Sequence, residues 1–157
     1  MRRIAISGHR GLPQETSDLV ETAIRAALAA DATEVTGLSC LADGADQIFA
    51  SVILDMGGQV EAIVPSRGYR AGLPRQSHAG YDRLLEQATV VHRLPYAEST
   101  SEAHMAASKF MIAMAGELWA VWDGLPARGF GGTADVVAYA YERGRAVKVI
   151  WPAGARR

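Results

Sequence analysis

The chain has 157 residues, 49% of them hydrophobic and 21% charged, a composition typical of a globular domain with one good core. Its formal net charge of −1 gives no general attraction to nucleic acid or to anionic membranes. Cys40 is the only cysteine, which excludes an internal disulfide and a thiolate metal cluster. The apolar run that follows the first arginines ends at Gly8, too early for a signal peptide or a spanning helix. We therefore expect a cytoplasmic protein with no membrane partner.

Short apolar runs alternate with segments of helical periodicity along the chain. The runs predict strands at residues 3–7, 34–39, 59–64, 89–94, 118–122 and 146–151. The periodic segments predict helices at residues 19–28, 45–53, 78–87, 102–115 and 134–143. Continuous apolar strands that alternate with helices indicate a parallel sheet covered on both faces. The sequence predicts an α/β fold, a Rossmann-like three-layer sandwich with a mostly parallel sheet, in which residues 1–157 form a single domain.

The Gly-rich segment Gly129-Phe-Gly-Gly-Thr133 lies between a predicted strand and a predicted helix. Backbone without side chains can approach a phosphate closely, and the free N–H groups of a helix start point at the anion. The Thr133 hydroxyl would add a donor. We therefore predict that Gly131, Gly132 and Thr133 bind a phosphate, the alternative being a tight turn with Thr133 as its N-cap.

A second turn, Ser7-Gly-His-Arg-Gly11, follows the first predicted strand. It offers a hydroxyl, backbone donors, an imidazole and a guanidinium suited to bidentate phosphate contact. His9 and Arg10 could equally belong to a solvated loop. The turn does not match the dinucleotide fingerprint G-x-G-x-x-G, so NAD binding by that mechanism is not supported.

A third turn, Leu41-Ala-Asp-Gly-Ala-Asp46, follows the second predicted strand. The carboxylates of Asp43 and Asp46 could accept hydrogen bonds from ribose hydroxyls, or complement the dipole of the next helix. Ligands of parallel sheets bind at the carboxyl ends of the strands, where all three turns belong. The predicted ligand-binding residues are Ser7, Gly8, His9, Arg10, Gly44, Asp46, Gly131, Gly132 and Thr133.

The longest irregular stretch, residues 66–77, is either a lid over a bound anion or a solvated surface. Its candidate residues are Arg67, Tyr69, Arg70 and Arg75. Trp119 and Trp122 alternate along the fifth strand and are predicted to lie in the core. His104 has no partner at metal-ligand spacing, and no H-E-x-x-H or paired-His motif exists. We predict no metal and no cofactor.

Three motifs taken together resemble one superfamily: Ile6-Ser-Gly-His-Arg10, Leu41-Ala-Asp-Gly-Ala-Asp46 and Gly131-Gly-Thr133. They resemble the SLOG superfamily, named after the Smf/DprA DNA-processing proteins and the LOG cytokinin-activating phosphoribohydrolases. The resemblance extends from the first strand to Trp151. It implies a Rossmann-like fold and a nucleotide-related ligand held by the first turn and the Gly-Gly-Thr turn.

LOG-type enzymes carry P-G-G-x-G-T-x-x-E, whose glutamate belongs to the catalytic centre. Here Gly132-Thr133 matches the G-T, but the glutamate position is Val136 and the proline is missing. Asp135 lies one residue too early, and a helix turns by about 100° per residue, so its carboxylate cannot take the place of a side chain at position 136. The resemblance therefore favours ligand-binding members of the superfamily, which are proposed to sense or process nucleotide-derived signals.

Three functional hypotheses follow. The first is binding or sensing of a nucleotide or a nucleotide-derived small molecule. The second is a nucleoside-monophosphate phosphoribohydrolase, with Asp135, Asp46 or Asp123 stabilising positive charge on the sugar. The third is single-stranded DNA binding, which the near-neutral charge and the lack of aromatic residues interleaved with basic ones oppose. Nucleic acid is accordingly not the expected partner.

The predicted helix at residues 102–115 has apolar residues on more faces than one sheet contact requires. An exposed apolar patch on a monomer favours association. We therefore expect a homodimer, formed through this helix.

Overall fold

The computed structural model describes residues 1–157, which form six strands and six helices. The strands are β1 (Arg2–Gly8), β2 (Val35–Ser39), β3 (Gln59–Ser66), β4 (Val90–Tyr96), β5 (Glu117–Val121) and β6 (Ala146–Ile150). The helices are α1 (Gln14–Leu28), α2 (Ala45–Asp55), α3 (Tyr69–Gly72), α4 (His78–Gln87), α5 (Ser101–Met114) and α6 (Thr133–Glu142). Short 3-10 turns at Ala32–Glu34 and Arg75–Ser77 precede β2 and α4.

All six strands belong to one sheet in the order β4-β3-β2-β1-β5-β6, and every neighbouring pair is parallel. The chain builds outward from β1 to β4 and then returns to place β5 on the other side of β1. This arrangement confirms the predicted α/β, Rossmann-like fold, with a sheet that is entirely rather than mostly parallel. The reversal of strand order lies between β1 and β5, where folds of this type form a ligand crevice.

Helices cover both faces of the sheet. On one face α1 packs against α2 and α2 against α4, and on the other α5 packs against α6. Alternation of side chains along the strands separates the two faces. Trp119 of β5 packs edge-on against Phe49 of α2 at a ring distance of 5.9 Å, whereas the Arg3 guanidinium of β1 donates to the carbonyl of Met114 in α5. The three layers predicted from the sequence are therefore present.

Two strands run past the prolines that follow the predicted strands. The third strand was predicted to stop before Pro65, but β3 continues to Ser66, with a shift in its pairing to β4 between Val64 and Ser66. Proline donates no hydrogen bond, and the irregular pairing accommodates that loss. β4 likewise contains Pro95, which an edge strand tolerates because one of its sides is unpaired.

Gly37 lies inside β2 because the helix above it comes too close for a side chain. A Cβ at this position would lie 2.4 Å from Ile53 Cδ1 and 2.7 Å from Phe49 Cε2. Both neighbours are fully buried residues of α2. Gly37 thus marks a close contact between the sheet and α2.

The apolar surface of α5 is covered within the chain. Its buried residues Met105, Met111 and Ile112 belong to the core, and the helix contacts β1, β3, β4 and α6. The large hydrophobic residues that remain exposed lie elsewhere: Met1, Val90, Leu125, Phe130, Tyr141 and Val149. The expectation of a surplus apolar face on this helix is therefore wrong, and the homodimer stays a prediction. None of the helices has both the length and the apolar character needed to cross a membrane.

We expect Gly37→Ala to lower the free energy of unfolding by about 1–3 kcal/mol, the usual cost of overpacking a core. The matched control is Gly116→Ala, because a Cβ there meets no atom within 4 Å. Urea unfolding of both variants measures the difference. Equal stability of Gly37→Ala and wild type would contradict the tight contact between β2 and α2.

Candidate functional site

A cleft of about 460 Å³ opens at the carboxyl ends of β1 and β5. This volume lies within the range typical of small-molecule sites. We call it the principal cleft; its lining residues are Ser7, Gly8, His9, Arg10, His104, Trp122, Leu125, Pro126, Ala127, Arg128, Gly129, Phe130, Gly131, Gly132, Thr133, Ala134 and Arg157. The turn after β1 and the Gly-rich turn before α6, predicted separately from the sequence, both line this one cleft.

A smaller chamber of about 100 Å³ adjoins the principal cleft. The two share Ser7, Gly8, Arg10, His104 and Gly131 as lining residues. The residues that line only the chamber are Ile6, Cys40, Ala42, Asp46, Tyr69, Ser108 and Met111. Every predicted ligand-binding residue except Gly44 therefore lines one of the two spaces.

Gly44 has a structural role beside the site. Its φ of +86° is in the left-handed region that favours glycine, and a Cβ there would lie 2.6 Å from the carbonyl oxygen of His9. Gly8 is constrained in a similar way, because its Cβ would lie 2.4 Å from that of Ala45. The two glycines allow the start of α2 to approach the end of β1.

The Gly-rich turn presents backbone donors at the start of α6. Gly131 has a φ of +85°, and a Cβ there would lie 3.1 Å from the carbonyl oxygen of Ser101. The N–H groups of Thr133 and Ala134 make no hydrogen bond to the preceding turn, and the Thr133 hydroxyl has no partner and does not cap the helix. These free N–H and hydroxyl donors border the principal cleft, which is the arrangement that an anion site at a helix start requires.

Asp135 stabilises the turn from within. Its Oδ2 accepts a hydrogen bond of 2.9 Å from the N–H of Gly131. Neither Asp135 nor Asp123 lines the cleft or the chamber, and Val136, at the glutamate position of LOG-type enzymes, is buried. Of the three catalytic candidates, only Asp46 lines either of the two spaces.

His9 lies at the base of the principal cleft and is only 6% exposed, so it does not belong to a solvated loop. Its Nε2 accepts a hydrogen bond of 3.1 Å from the backbone N–H of Asp123, and the Oδ1 of Asp123 lies 3.2 Å from the same nitrogen. The ring packs edge-on against Trp151. Burial, and after it the charge of Arg157, lowers the pKa of His9, which favours a neutral imidazole at neutral pH.

Three arginines border the principal cleft: Arg10, Arg128 and Arg157. Asp43 accepts from Arg10 Nε at 2.8 Å and from the N–H of Gly11 at 3.0 Å, so it fixes this turn rather than facing a ligand. Arg128 has no hydrogen-bond partner in the chain, and Arg157 reaches Asp123 only at 3.5 Å. Of the three, only the Arg128 guanidinium therefore has no acidic partner in the chain.

The C-terminal segment places Arg157 at the cleft. The Thr16 hydroxyl on α1 donates to the carbonyl of Arg156 at 2.7 Å and accepts from its N–H at 2.9 Å. Thr16 itself is fully buried. This reciprocal pair of hydrogen bonds fixes the backbone beside Arg157.

Asp46 is the buried acid of the chamber. Its Oδ2 accepts from the N–H of Ala42 at 3.2 Å, whereas no group of the chain donates to its Oδ1. Burial raises the pKa of Asp46 from 3.8 to about 7, against the opposing effects of that hydrogen bond and of Arg10. At neutral pH the side chain therefore exchanges readily between its acid and its carboxylate forms.

Several lining residues were not predicted. Trp122 was expected in the core of the fifth strand, but β5 ends at Val121 and the Trp122 indole lies at the cleft, where it donates to the carbonyl of Leu125. His104, considered from the sequence only as a metal ligand, packs edge-on against Tyr69 at 5.5 Å beside the chamber. No local motif marks His104 or Trp122 as a residue of the site.

The segment at residues 66–77 is not a lid of arginines. Arg70 forms two hydrogen bonds with Asp82, at 2.7 and 2.8 Å, and none of the segment's arginines lines the cleft or the chamber. Only Tyr69, which is 3% exposed, contributes to the site. The arginines of this segment are exposed, in agreement with the prediction of a solvated surface.

We expect Asp46→Asn to stabilise the protein, and to do so more strongly as the pH rises from about 5 to about 8. The folded pKa of Asp46 lies above the unfolded one, so wild type loses stability as the pH rises between them, and this loss is complete above about pH 7. The asparagine side chain does not ionise, so the variant does not lose this stability. The loss in wild type amounts to a few kcal/mol, at about 1.4 kcal/mol per unit of difference between the folded and unfolded pKa.

Urea unfolding at the two pH values measures this effect. Asp55→Asn is the matched control, because Asp55 is an exposed carboxylate at the other end of the same helix. A stabilisation by Asp46→Asn that is the same at both pH values would show that the folded pKa of Asp46 is not raised.

No protein-family model matches the chain, and no curated protein matches it in sequence. Solved structures match it in fold. DprA from Streptococcus pneumoniae superimposes with a TM-score of 0.71 at 17% identity, over 98% of this chain and 52% of that one. DprA from Helicobacter pylori, a single-stranded DNA-binding protein, gives 0.69 at 16% identity, over 98% and 67%. TM1055, a structural genomics target, gives 0.62 at 20% identity, over 94% and 72%.

The chain spans about half the length of the pneumococcal DprA, 52% of it. The likeness covers at least 94% of this chain in each comparison. At 16–20% identity it shows that the chain shares the Rossmann-like fold of these proteins.

Proposed function

We propose that the chain binds a phosphate-bearing, nucleotide-derived ligand in the principal cleft. The cleft lies where the strand order reverses between β1 and β5, which is the usual ligand position in open parallel sheets. The single observation that carries the proposal is the meeting of the two predicted turns in one cleft with unengaged donors. Binding or sensing is the function that this arrangement supports best.

The phosphate would bind at the start of α6. The N–H groups of Thr133 and Ala134 are free of the preceding turn and border the cleft. Arg128, which has no acidic partner, lines the same cleft, and so does Ser7. Backbone donors supply geometry and the guanidinium supplies charge, which is the combination that phosphate recognition uses.

An apolar rim could receive the rest of the nucleotide. Phe130 is 64% exposed and Leu125 59%, and both line the cleft. An aromatic ring of this exposure offers a stacking surface to a base. Hydrolysis is supported less well, because Asp135 is engaged by Gly131 and lies outside the cleft.

We expect AMP to bind wild type at least about tenfold more tightly than adenosine, because charge-assisted hydrogen bonds to phosphate are the strong ones. Arg128→Gln should weaken AMP binding by roughly tenfold, because it removes an uncommitted charge beside the phosphate. Isothermal titration calorimetry measures both effects.

Arg67→Gln is the matched control for this measurement. The Arg67 side chain is exposed, has no hydrogen-bond partner and lies outside the cleft and the chamber. Equal affinity for AMP and adenosine, or equal losses in the two arginine variants, would exclude the phosphate position.

Single-stranded DNA is a second candidate ligand for the same cleft. The sequence argument against it relied on the lack of aromatic residues beside basic ones, but Phe130 and Arg128 lie together at the rim. DprA from Helicobacter pylori binds single-stranded DNA. Base stacking on an aromatic ring within a positive groove is the physical basis of such binding.

If DNA is the ligand, a fluorescent oligothymidylate should bind with an affinity that falls as salt is added, because phosphate contacts release counterions. Phe130→Ala should weaken the binding by roughly tenfold through lost stacking. Tyr141→Ala is the control, since Tyr141 is an aromatic residue of similar exposure, 61%, outside the cleft. The absence of an anisotropy change at low salt would exclude this candidate.

A further inference from the structure

We propose that the smaller chamber is a subsite for the hydroxyl-bearing edge of a pentose, with Asp46 as the hydrogen-bond acceptor. This inference rests on the proposed function, because it places the sugar of the ligand whose phosphate occupies the principal cleft. It narrows the ligand class to ribonucleotides and related sugar phosphates.

The chamber is connected to the principal cleft where the phosphate would bind. Ser7, Gly8, Arg10 and Gly131 line both spaces. A group bound in the chamber is therefore adjacent to one bound along the Gly131 wall of the cleft. A sugar and its phosphate are joined by a single short linkage, and two spaces with a common wall suit such a ligand.

The chamber is small compared with the principal cleft. Its volume of about 100 Å³ is less than a quarter of the 460 Å³ of the cleft. The chamber therefore suits a smaller part of the ligand than the cleft does.

The polar groups of the chamber suit hydroxyls in particular. Asp46 is more than nine-tenths buried and has one oxygen, Oδ1, with no donor in the chain. A sugar hydroxyl can supply that donor. A carboxylate also repels a phosphate, so Asp46 would keep the phosphate in the principal cleft and fix the orientation of the ligand.

The remaining walls can contact both the hydroxyls and the carbon atoms of a sugar. The hydroxyls of Ser7 and Ser108 are free of hydrogen bonds within the chain and can donate or accept. The apolar side chains of Ile6 and Met111 line the same space and can pack against the C–H groups of the ring. Few ligand fragments other than a sugar need both kinds of surface in so small a volume.

The test compares AMP, 2′,3′-dideoxy-AMP and inorganic phosphate by isothermal titration calorimetry. Wild type should prefer AMP over the dideoxy analogue by at least about tenfold, since hydrogen bonds from two hydroxyls to a charged group are lost. Asp46→Asn should reduce this preference to about threefold or less and should not weaken the binding of inorganic phosphate, because the substitution removes a negative charge beside the phosphate site. Asp55→Asn, the exposed carboxylate on the same helix, should behave as wild type.

The outcomes separate the two proposals. If inorganic phosphate and both nucleotides bind but wild type does not distinguish the nucleotides, the sugar subsite is wrong and the phosphate site stands. If Asp46→Asn keeps the full preference for AMP, another group recognises the hydroxyls and the role of Asp46 is wrong. If none of the three probes binds wild type, the proposed function fails and the subsite fails with it. A urea unfolding curve of Asp46→Asn establishes that the variant is folded.

Discussion

The close approach of α2 to the end of β1 is the constraint on which the site depends. The N–H of Ala45 donates to the carbonyl of His9 at 3.2 Å, which only glycine at positions 8 and 44 permits. This contact brings the turn that carries Asp46 beside the turn that carries Arg10. Without this contact the turn that carries Asp46 and the turn that carries Arg10 would not line the same chamber.

The charge at the cleft follows from how its acids are already used. Asp43 is paired with Arg10 and Asp123 with Arg157, whereas Asp135 accepts from the N–H of Gly131. Arg128 is thus the cleft arginine whose charge no carboxylate of the chain pairs, which leaves it able to face an anionic ligand. Net charge describes the whole surface and is a poor guide to a single cleft.

Most of the fold and about a third of the site could be predicted from local sequence. Apolar runs and helical periodicity located every strand and the long helices, and glycine at strand ends located the turns. The contributions of His104 and Trp122 to the site could not be predicted, because their positions depend on contacts between elements far apart in the chain. The need for glycine at position 37 could not be predicted either, because it comes from the packing of Phe49 of α2 and not from β2 itself.

Cys40 gives the chamber a natural reporter. It is the only thiol of the chain, it is 8% exposed, and its side chain lines the chamber beside Asp46. Burial, and after it the charge of Asp46, raises the pKa of the thiol well above its usual value, so the unreactive protonated form dominates. The rate of alkylation by a small reagent would therefore follow the opening and filling of this space in the unmodified protein, without an introduced label.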